Sequence, residues 1–92
     1  MRKCIKIIVY GKVKNEAYQM FIQKQALAIG VEGTIKNNDD ESVVIHACST
    51  TENLDTFMDH VYKGASGSHV DDVHIEPFIN EKDFRGVFRI II

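Results

Sequence analysis

Tryptophan is absent from this chain, and proline and cysteine are scarce. The 92 residues include one proline and two cysteines, and 45% of them are hydrophobic. Disordered segments have the opposite composition, because they contain too little apolar surface to form a core. The composition is therefore typical of a globular chain, and the length predicts a single domain over residues 1–92.

An excess of positive charge is also missing. Eleven basic side chains and thirteen acidic ones give a formal net charge of -2 at pH 7. Non-specific nucleic-acid binding depends on a general attraction between basic side chains and the phosphate backbone. The charge balance therefore predicts that nucleic acid is not a partner.

Long apolar runs are lacking as well. The apolar stretches 5–10 and 88–92 are too short or too interrupted by charge to cross a bilayer. The first residues are not followed by the apolar segment of a signal peptide. We therefore expect a soluble cytoplasmic protein with no membrane partner.

Metal-ligand and disulfide spacings are not found either. Cys4 and Cys48 are far apart and form no CxxC pattern, so buried reduced thiols are the favoured interpretation. Four scattered histidines lack the i, i+4 spacing of a paired site on one helix: His46, His60, His69 and His74. The sequence therefore predicts no metal site.

Hydrophobic periodicity divides the first half of the chain into strands and a helix. Residues 4–13 alternate between apolar and polar, as in a strand that is buried on one side. Apolar residues at helical spacing follow over 18–29, and Gly30 supplies the left-handed residue that closes such a helix. Residues 31–36 and 42–48 are β-competent and are separated by turn formers, which predicts a hairpin.

The second half repeats the helix and strand pattern. Residues 49–52, Ser-Thr-Thr-Glu, match a capping box that opens a second helix, and Gly64 ends it. Residues 70–78 predict a fourth strand and residues 84–92 a last one. The resulting order predicts an α+β ferredoxin-like βαββαβ sandwich, with two helices on one face of an antiparallel sheet and an additional C-terminal strand.

This topology has a consequence for the two cysteines. The first and third strands are antiparallel neighbours in the ferredoxin-like order, so the start of one meets the end of the other. Cys4 and Cys48 then both project from the sheet face away from the helices. We predict that the two thiols lie close together without a bond between them.

Several residues match a known family pattern. Gly11, Val13 and Phe21, with Tyr18 in place of Phe, fit without a gap a strand that runs into Gly-x-Val-Gln-Gly-Val-Gly-Phe-Arg-x-Phe. Further matches in register are Ala26, Ile29, Gly30, Val31, Gly33, Ile35, Lys36, Asn37, Asp40, Val43, Phe57, Val61 and Gly64. Over almost the whole chain, the sequence resembles the acylphosphatase family.

The resemblance implies a reaction and a set of site residues. Acylphosphatases hydrolyse the mixed anhydride of a carboxylic acid and phosphate without a metal or cofactor. In the family, loop N–H groups and one arginine hold the phosphoryl group, while an asparagine positions the attacking water. Asn37 occupies the asparagine position and Gln19 the arginine position, so these two are the candidate catalytic residues.

The same resemblance implies a substrate-binding loop. Its candidate residues are Lys14, Asn15, Glu16, Ala17 and Tyr18, and the expected ligands are a small acyl phosphate or inorganic phosphate. Asn15 and Ala17 stand where the family has glycine, and a Cβ at these positions makes a tight phosphate-binding loop harder to form. Asn15 and Glu16 would instead suit an ordinary helix cap.

These departures leave two hypotheses for the function. The first is an acylphosphatase whose activity is weakened or lost because a neutral glutamine replaces the phosphate-binding arginine. Lys14 is the candidate compensating cation, with a solvated surface lysine as the alternative interpretation. The second is a non-catalytic pseudo-enzyme that serves as a binding or interaction module. In both cases we expect a monomer.

A third interpretation is an RNA-binding module of another lineage. Residues 85–88, Arg-Gly-Val-Phe, weakly match the basic-glycine-aromatic pattern of RNA-recognition strands. The paired aromatic residues and the basic charge that base stacking requires are missing. This interpretation is therefore the least favoured of the three.

Overall fold

The computed structural model describes residues 2–13, 16–65, 67–79 and 84–91. Its elements in chain order are β1 (Arg2–Lys12), α1 (Glu16–Ile29), β2 (Glu32–Asn37), β3 (Val43–Thr50), α2 (Thr51–Lys63), β4 (His69–Pro77) and β5 (Phe88–Ile91). This order confirms the predicted βαββαβ pattern with an additional C-terminal strand. In the described part of the chain, no helix is long and apolar enough to cross a membrane.

The five strands form one sheet in the order β4-β1-β3-β2-β5. The first four strands pair in antiparallel fashion, as the ferredoxin-like prediction requires. β5 adds to the edge at β2 in the parallel sense. The last strand thus widens the sheet without changing the order of the other four.

Both helices pack on one face of the sheet. The side chains of a strand alternate between its faces, so every second residue of β1 and β3 points toward the helices. The buried core cluster comprises Ile5, Ile7, Val9, Val13, Tyr18, Ile22, Ala26, Val31, Ile35, Val43, Ile45, Ala47, Leu54, Phe57, Val61 and Phe88. This confirms the alternation predicted for the first strand and the apolar residues predicted at helical spacing in the first helix.

The two cysteines are joined by a disulfide, which makes the prediction of reduced thiols wrong. Cys4 and Cys48 are direct cross-strand partners between β1 and β3, and their Cα atoms are 4.1 Å apart. The predicted proximity is confirmed. Direct opposition, rather than a diagonal offset, brings the two Cβ atoms close enough for a bond.

Two glycines shape the ends of the elements that lead to and from α1. Gly30 has a positive φ of 95° and donates its N–H to Ala26 O at 2.9 Å, which confirms the predicted end of the helix. Gly11 has a φ of 132°, and a side chain there would collide with the carbonyl of His69 on β4. Gly11 therefore lets β1 pass close to β4 just before the segment that enters α1.

The N-cap of α2 is one residue later than the capping-box pattern predicts. Thr50 is the N-cap, and its hydroxyl accepts from Asn53 N at 3.2 Å. Ser49 instead donates its hydroxyl to Gly30 O at 2.9 Å and accepts from Asn53 Nδ2 at 3.1 Å. The two hydroxyls thus have different roles. The Thr50 hydroxyl caps α2, whereas the Ser49 hydroxyl links the end of α1 to the start of α2.

We predict that Thr50→Ala lowers the free energy of unfolding by about 1 kcal/mol, because the cap hydroxyl satisfies an otherwise free helix N–H. Urea denaturation of the purified variant measures this change. Thr51→Ala is the control, since Thr51 is exposed and lies inside the helix. An equal loss in both variants would contradict the assignment of Thr50 as the cap.

A buried carboxylate fastens the turn before β5. Glu32 is buried, forms an ion pair with Arg2 and accepts a hydrogen bond from the Gly86 N–H. Arg85 and Gly86 both have positive φ, so this segment is a tight turn and not the start of a strand. Phe88 is buried against Phe57, so its ring is not exposed for stacking on a base. This arrangement disfavours the RNA-binding interpretation further.

Candidate active site

Gln19 and Asn37 meet where the start of α1 lies over the end of β2. The Gln19 side chain donates from Nε2 to Asn37 Oδ1 at 3.1 Å. Gln19 is 8% exposed and Asn37 is half-buried. The structure therefore brings together the two positions that the sequence identified as catalytic candidates.

Strand geometry places Asn37 on the helix-facing side of the sheet. Asn37 is the last residue of β2 and pairs with Val43 across the hairpin. Its side chain lies on the same face as that of the fully buried Ile35, two residues earlier. A polar side chain at this point, where the core ends, can contact both α1 and solvent.

Tyr18 anchors the first turn of α1. Its side chain is fully buried, and its hydroxyl donates to the Val61 carbonyl of α2 at 3.1 Å. Burial raises the pKa of the Tyr18 phenol well above its usual value, so the group stays a neutral donor. A Tyr18 side chain held in the core leaves only its backbone available to a bound substrate.

A second anchor of α1 was not identified from the sequence. Gln23 donates from Nε2 to the Phe88 carbonyl of β5 at 2.9 Å. Tyr18 and Gln23 thus attach α1 to α2 and to β5, on either side of Gln19 along the helix. A polar residue four positions after Gln19 gives no sequence signal for this contact, because its partner lies 65 residues away.

The rest of the predicted binding loop is only partly within the described residues. Lys14 and Asn15 lie outside the described residues. The predicted cap at Asn15 and the predicted compensating cation at Lys14 therefore stay predictions. Glu16 is the first residue of α1, and both Glu16 and Ala17 are exposed. A carboxylate in the first turn interacts favourably with the positive end of the helix dipole.

The electrostatics of the site are those of two neutral amides. Among the described residues, neither Gln19 nor Asn37 forms a hydrogen bond with a cationic side chain. Lys36, next to Asn37 in sequence, is exposed and lies on the opposite face of the sheet. Lys36 is therefore a solvent-facing strand residue.

The amide pair can still position a polar molecule. The carbonyl oxygen of Asn37 has a second lone pair beyond the one used by Gln19, and its NH₂ group carries donors. The oxygen of Gln19 is a further acceptor.

The described residues contain no group of three or more histidine, cysteine, aspartate or glutamate side chains arranged to hold a metal ion.

The fold is that of an acylphosphatase-like α+β domain, and the comparisons with known proteins agree. The sequence model of the Acylphosphatase family matches residues 5–90. The acylphosphatase of Geobacillus kaustophilus is 34% identical over 86 residues, which cover 90% of this chain and 92% of that protein. The acylphosphatase of Listeria welshimeri is 40% identical over 68 residues, or 73% of each chain.

A solved structure gives the same result. The crystal structure of acylphosphatase from Bacillus subtilis superposes with a TM-score of 0.86 at 28% identity and covers 100% of both chains. The chain belongs to the acylphosphatase family.

Proposed function

We propose that this protein is a weak acylphosphatase that hydrolyses the carboxyl-phosphate bond of a small acyl phosphate to a carboxylate and inorganic phosphate. The observation that carries the proposal is the contact between Gln19 and Asn37. By the resemblance to the family pattern, these residues occupy the two positions that the family uses for the phosphate and for the attacking water. The proposed reaction uses no metal or cofactor.

In this proposal Asn37 positions water and Gln19 contributes a neutral donor to the phosphoryl group. Catalysis of phosphoryl transfer depends on positioning and on electrostatic stabilisation of the transferred group. Asn37 retains the positioning of the water. Gln19 loses most of the electrostatic stabilisation, because one amide NH₂ group cannot replace a charged guanidinium that contacts two phosphate oxygens.

A second candidate function is a non-catalytic binding module. The observation that favours it is again the Gln19–Asn37 hydrogen bond, because the Gln19 NH₂ group and the Asn37 carbonyl oxygen already pair with each other without a ligand. A substrate then has to compete with this contact before it can use either side chain. We further propose that the protein acts as a single-domain monomer in either case.

The two functions differ in the effect of Asn37→Ala on hydrolysis of benzoyl phosphate. If Asn37 positions the water, we expect slow hydrolysis above the buffer rate and a fall of about a hundredfold in the variant. Release of inorganic phosphate under single-turnover and steady-state conditions provides the measurement. Wild-type protein that never exceeds the buffer rate would identify the binding module instead.

Asn38→Ala is the matched control. Asn38 is the next residue, but its amide donates to Ser42 Oγ at 2.9 Å within the hairpin turn. Hydrolysis should therefore fall much less in Asn38→Ala than in Asn37→Ala. Equal losses would assign the effect to the turn and not to the Asn37 amide.

A further inference from the structure

The sheet face opposite the two helices carries a groove, which we call the outer groove. It has a volume of about 510 Å³, within the range of small-molecule sites. Its principal lining residues come from the three central strands: Lys6, Ile8, Thr34, Lys36, Val44 and His46. Asn37 points to the other face, so the outer groove is separate from the candidate active site.

Strand register arranges these side chains in two rows. Lys6 pairs with His46, and His46 pairs with Thr34, so three polar groups lie side by side across the sheet. The next row on the same face consists of Ile8, Val44 and Lys36. Successive rows on one face are about 7 Å apart, and neighbouring strands are about 4.8 Å apart. The rows together fit a ligand the size of one substituted ring.

The outer groove is cationic although the whole chain carries a formal charge of -2. Lys36 is exposed and forms no ion pair within the described ranges. Lys6 Nζ lies 4.0 Å from Glu76 Oε2 at the sheet edge, and both groups are solvated, so this pair is weak. Glu32, on the same face, is already bound by Arg2.

The second row is largely apolar. Ile8 and Val44 are half-buried cross-strand partners, and Ile91 of β5 lines the groove beside them with 38% exposure. A hydrated inorganic ion would leave this apolar surface in contact with water. A ligand with a hydrocarbon or aromatic body would cover it.

His46 completes the polar row as a neutral group. Its ring packs against Phe78 with a centroid distance of 4.6 Å. Burial and the nearby Lys6 ammonium lower the pKa of His46, so the ring is uncharged near neutral pH and offers one N–H donor. The Thr34 hydroxyl adds a second neutral donor in the same row.

We propose that the outer groove binds a small organic anion. Its carboxylate or phosphate group is held by Lys6, His46 and Thr34, and its apolar body covers Ile8 and Val44. Lys36 attracts the anion from the rim. This site does not depend on the proposed hydrolysis, because it uses the opposite face of the sheet.

The test is a titration of ¹⁵N-labelled protein with phenyl phosphate, followed by NMR. We expect saturable shifts in the amides of residues 6–8, 34–36 and 44–46. The double variant Lys6→Gln/Lys36→Gln should weaken binding about tenfold, because it removes both cations of the groove. Inorganic phosphate should also bind about tenfold more weakly than phenyl phosphate, because it lacks the ring that covers the apolar row.

Lys24→Gln/Lys63→Gln is the matched control, since it removes the same charge from exposed positions on the two helices. It should leave the affinity unchanged. Three results would overturn the proposal: shifts confined to residues 16–19 and 37, an equal loss of affinity in the control, or no saturation up to about 10 mM phenyl phosphate. Circular dichroism verifies that both double variants are folded.

Discussion

Gln19→Arg, combined with glycine at positions 15 and 17, is expected to raise the hydrolysis of benzoyl phosphate by about a thousandfold. A unit charge pair at contact contributes about 4 kcal/mol at an effective dielectric constant near 20. Each 1.4 kcal/mol of transition-state stabilisation corresponds to about a tenfold change in rate. The side chain at position 19 already points at Asn37, so an arginine there starts close to the required place.

The single substitution separates the charge from the loop. Gln19→Arg alone tests whether charge is the limiting factor, and the triple variant tests whether the loop must also approach the phosphate closely. Steady-state hydrolysis gives kcat and KM for each protein. A rate gain only in the triple variant would show that Asn15 and Ala17 limit binding of the phosphoryl group.

Gln25→Arg controls for net charge. Gln25 lies on the same helix, six residues beyond Gln19, and the substitution adds the same charge away from Asn37. We expect no gain in hydrolysis from it. A comparable gain in Gln25→Arg, or none in a folded triple variant, would contradict the role assigned to position 19.

Reduction of the Cys4–Cys48 disulfide is expected to lower the free energy of unfolding by about 4 kcal/mol, according to the chain-entropy estimate for a loop of this length. The bond joins residues separated by 44 positions and links the two central strands β1 and β3. For a small domain, whose total stability is about 5–15 kcal/mol, this is a large fraction.

Urea denaturation with and without dithiothreitol measures the effect. The Cys4→Ala variant is the control, because it cannot form the bond and its stability should not respond to the reductant. A wild-type curve that is unchanged by complete reduction, verified by thiol titration, would show that strand pairing alone supplies this stability. Mass spectrometry of the alkylated protein establishes the redox state before each measurement.

The fold follows from local patterns to a large extent. Alternation in β1, helical spacing in α1 and the glycine at position 30 are properties of short segments, and each has the predicted role in the structure. Backbone geometry imposes the periods of strands and helices on any sequence that buries one face. Neighbouring residues were therefore sufficient to predict the order of elements.

Contacts between distant residues were harder to predict. The buried Glu32 is an example, since its partners Arg2 and Gly86 lie 30 positions before it and 54 positions after it. Nothing in residues 31–36 indicates that a carboxylate in this short strand is buried. Only strand pairing shows that a cation and a free N–H group are available to it.

The two cysteines also show the difference between what local patterns predict and what contacts between distant residues decide. The alternation of β1 and β3 predicts that Cys4 and Cys48 share a face, but a shift of register by two residues would preserve that face and separate the thiols. The observed register places them directly opposite each other. The alternation therefore predicted that the two thiols lie close together, but it could not predict the bond between them.

By itself, the sequence determined the family and the order of elements, and it predicted the two positions, Gln19 and Asn37, on which the proposed activity depends. Only the tertiary structure decided that these amides bind each other, that the Tyr18 side chain belongs to the core and that a cationic groove lies on the opposite face of the sheet. The physical reason is the separation along the sequence of the residues that interact. Periodicity and caps arise within a few residues, whereas a hydrogen bond or a groove depends on the register and packing of segments that the sequence keeps far apart.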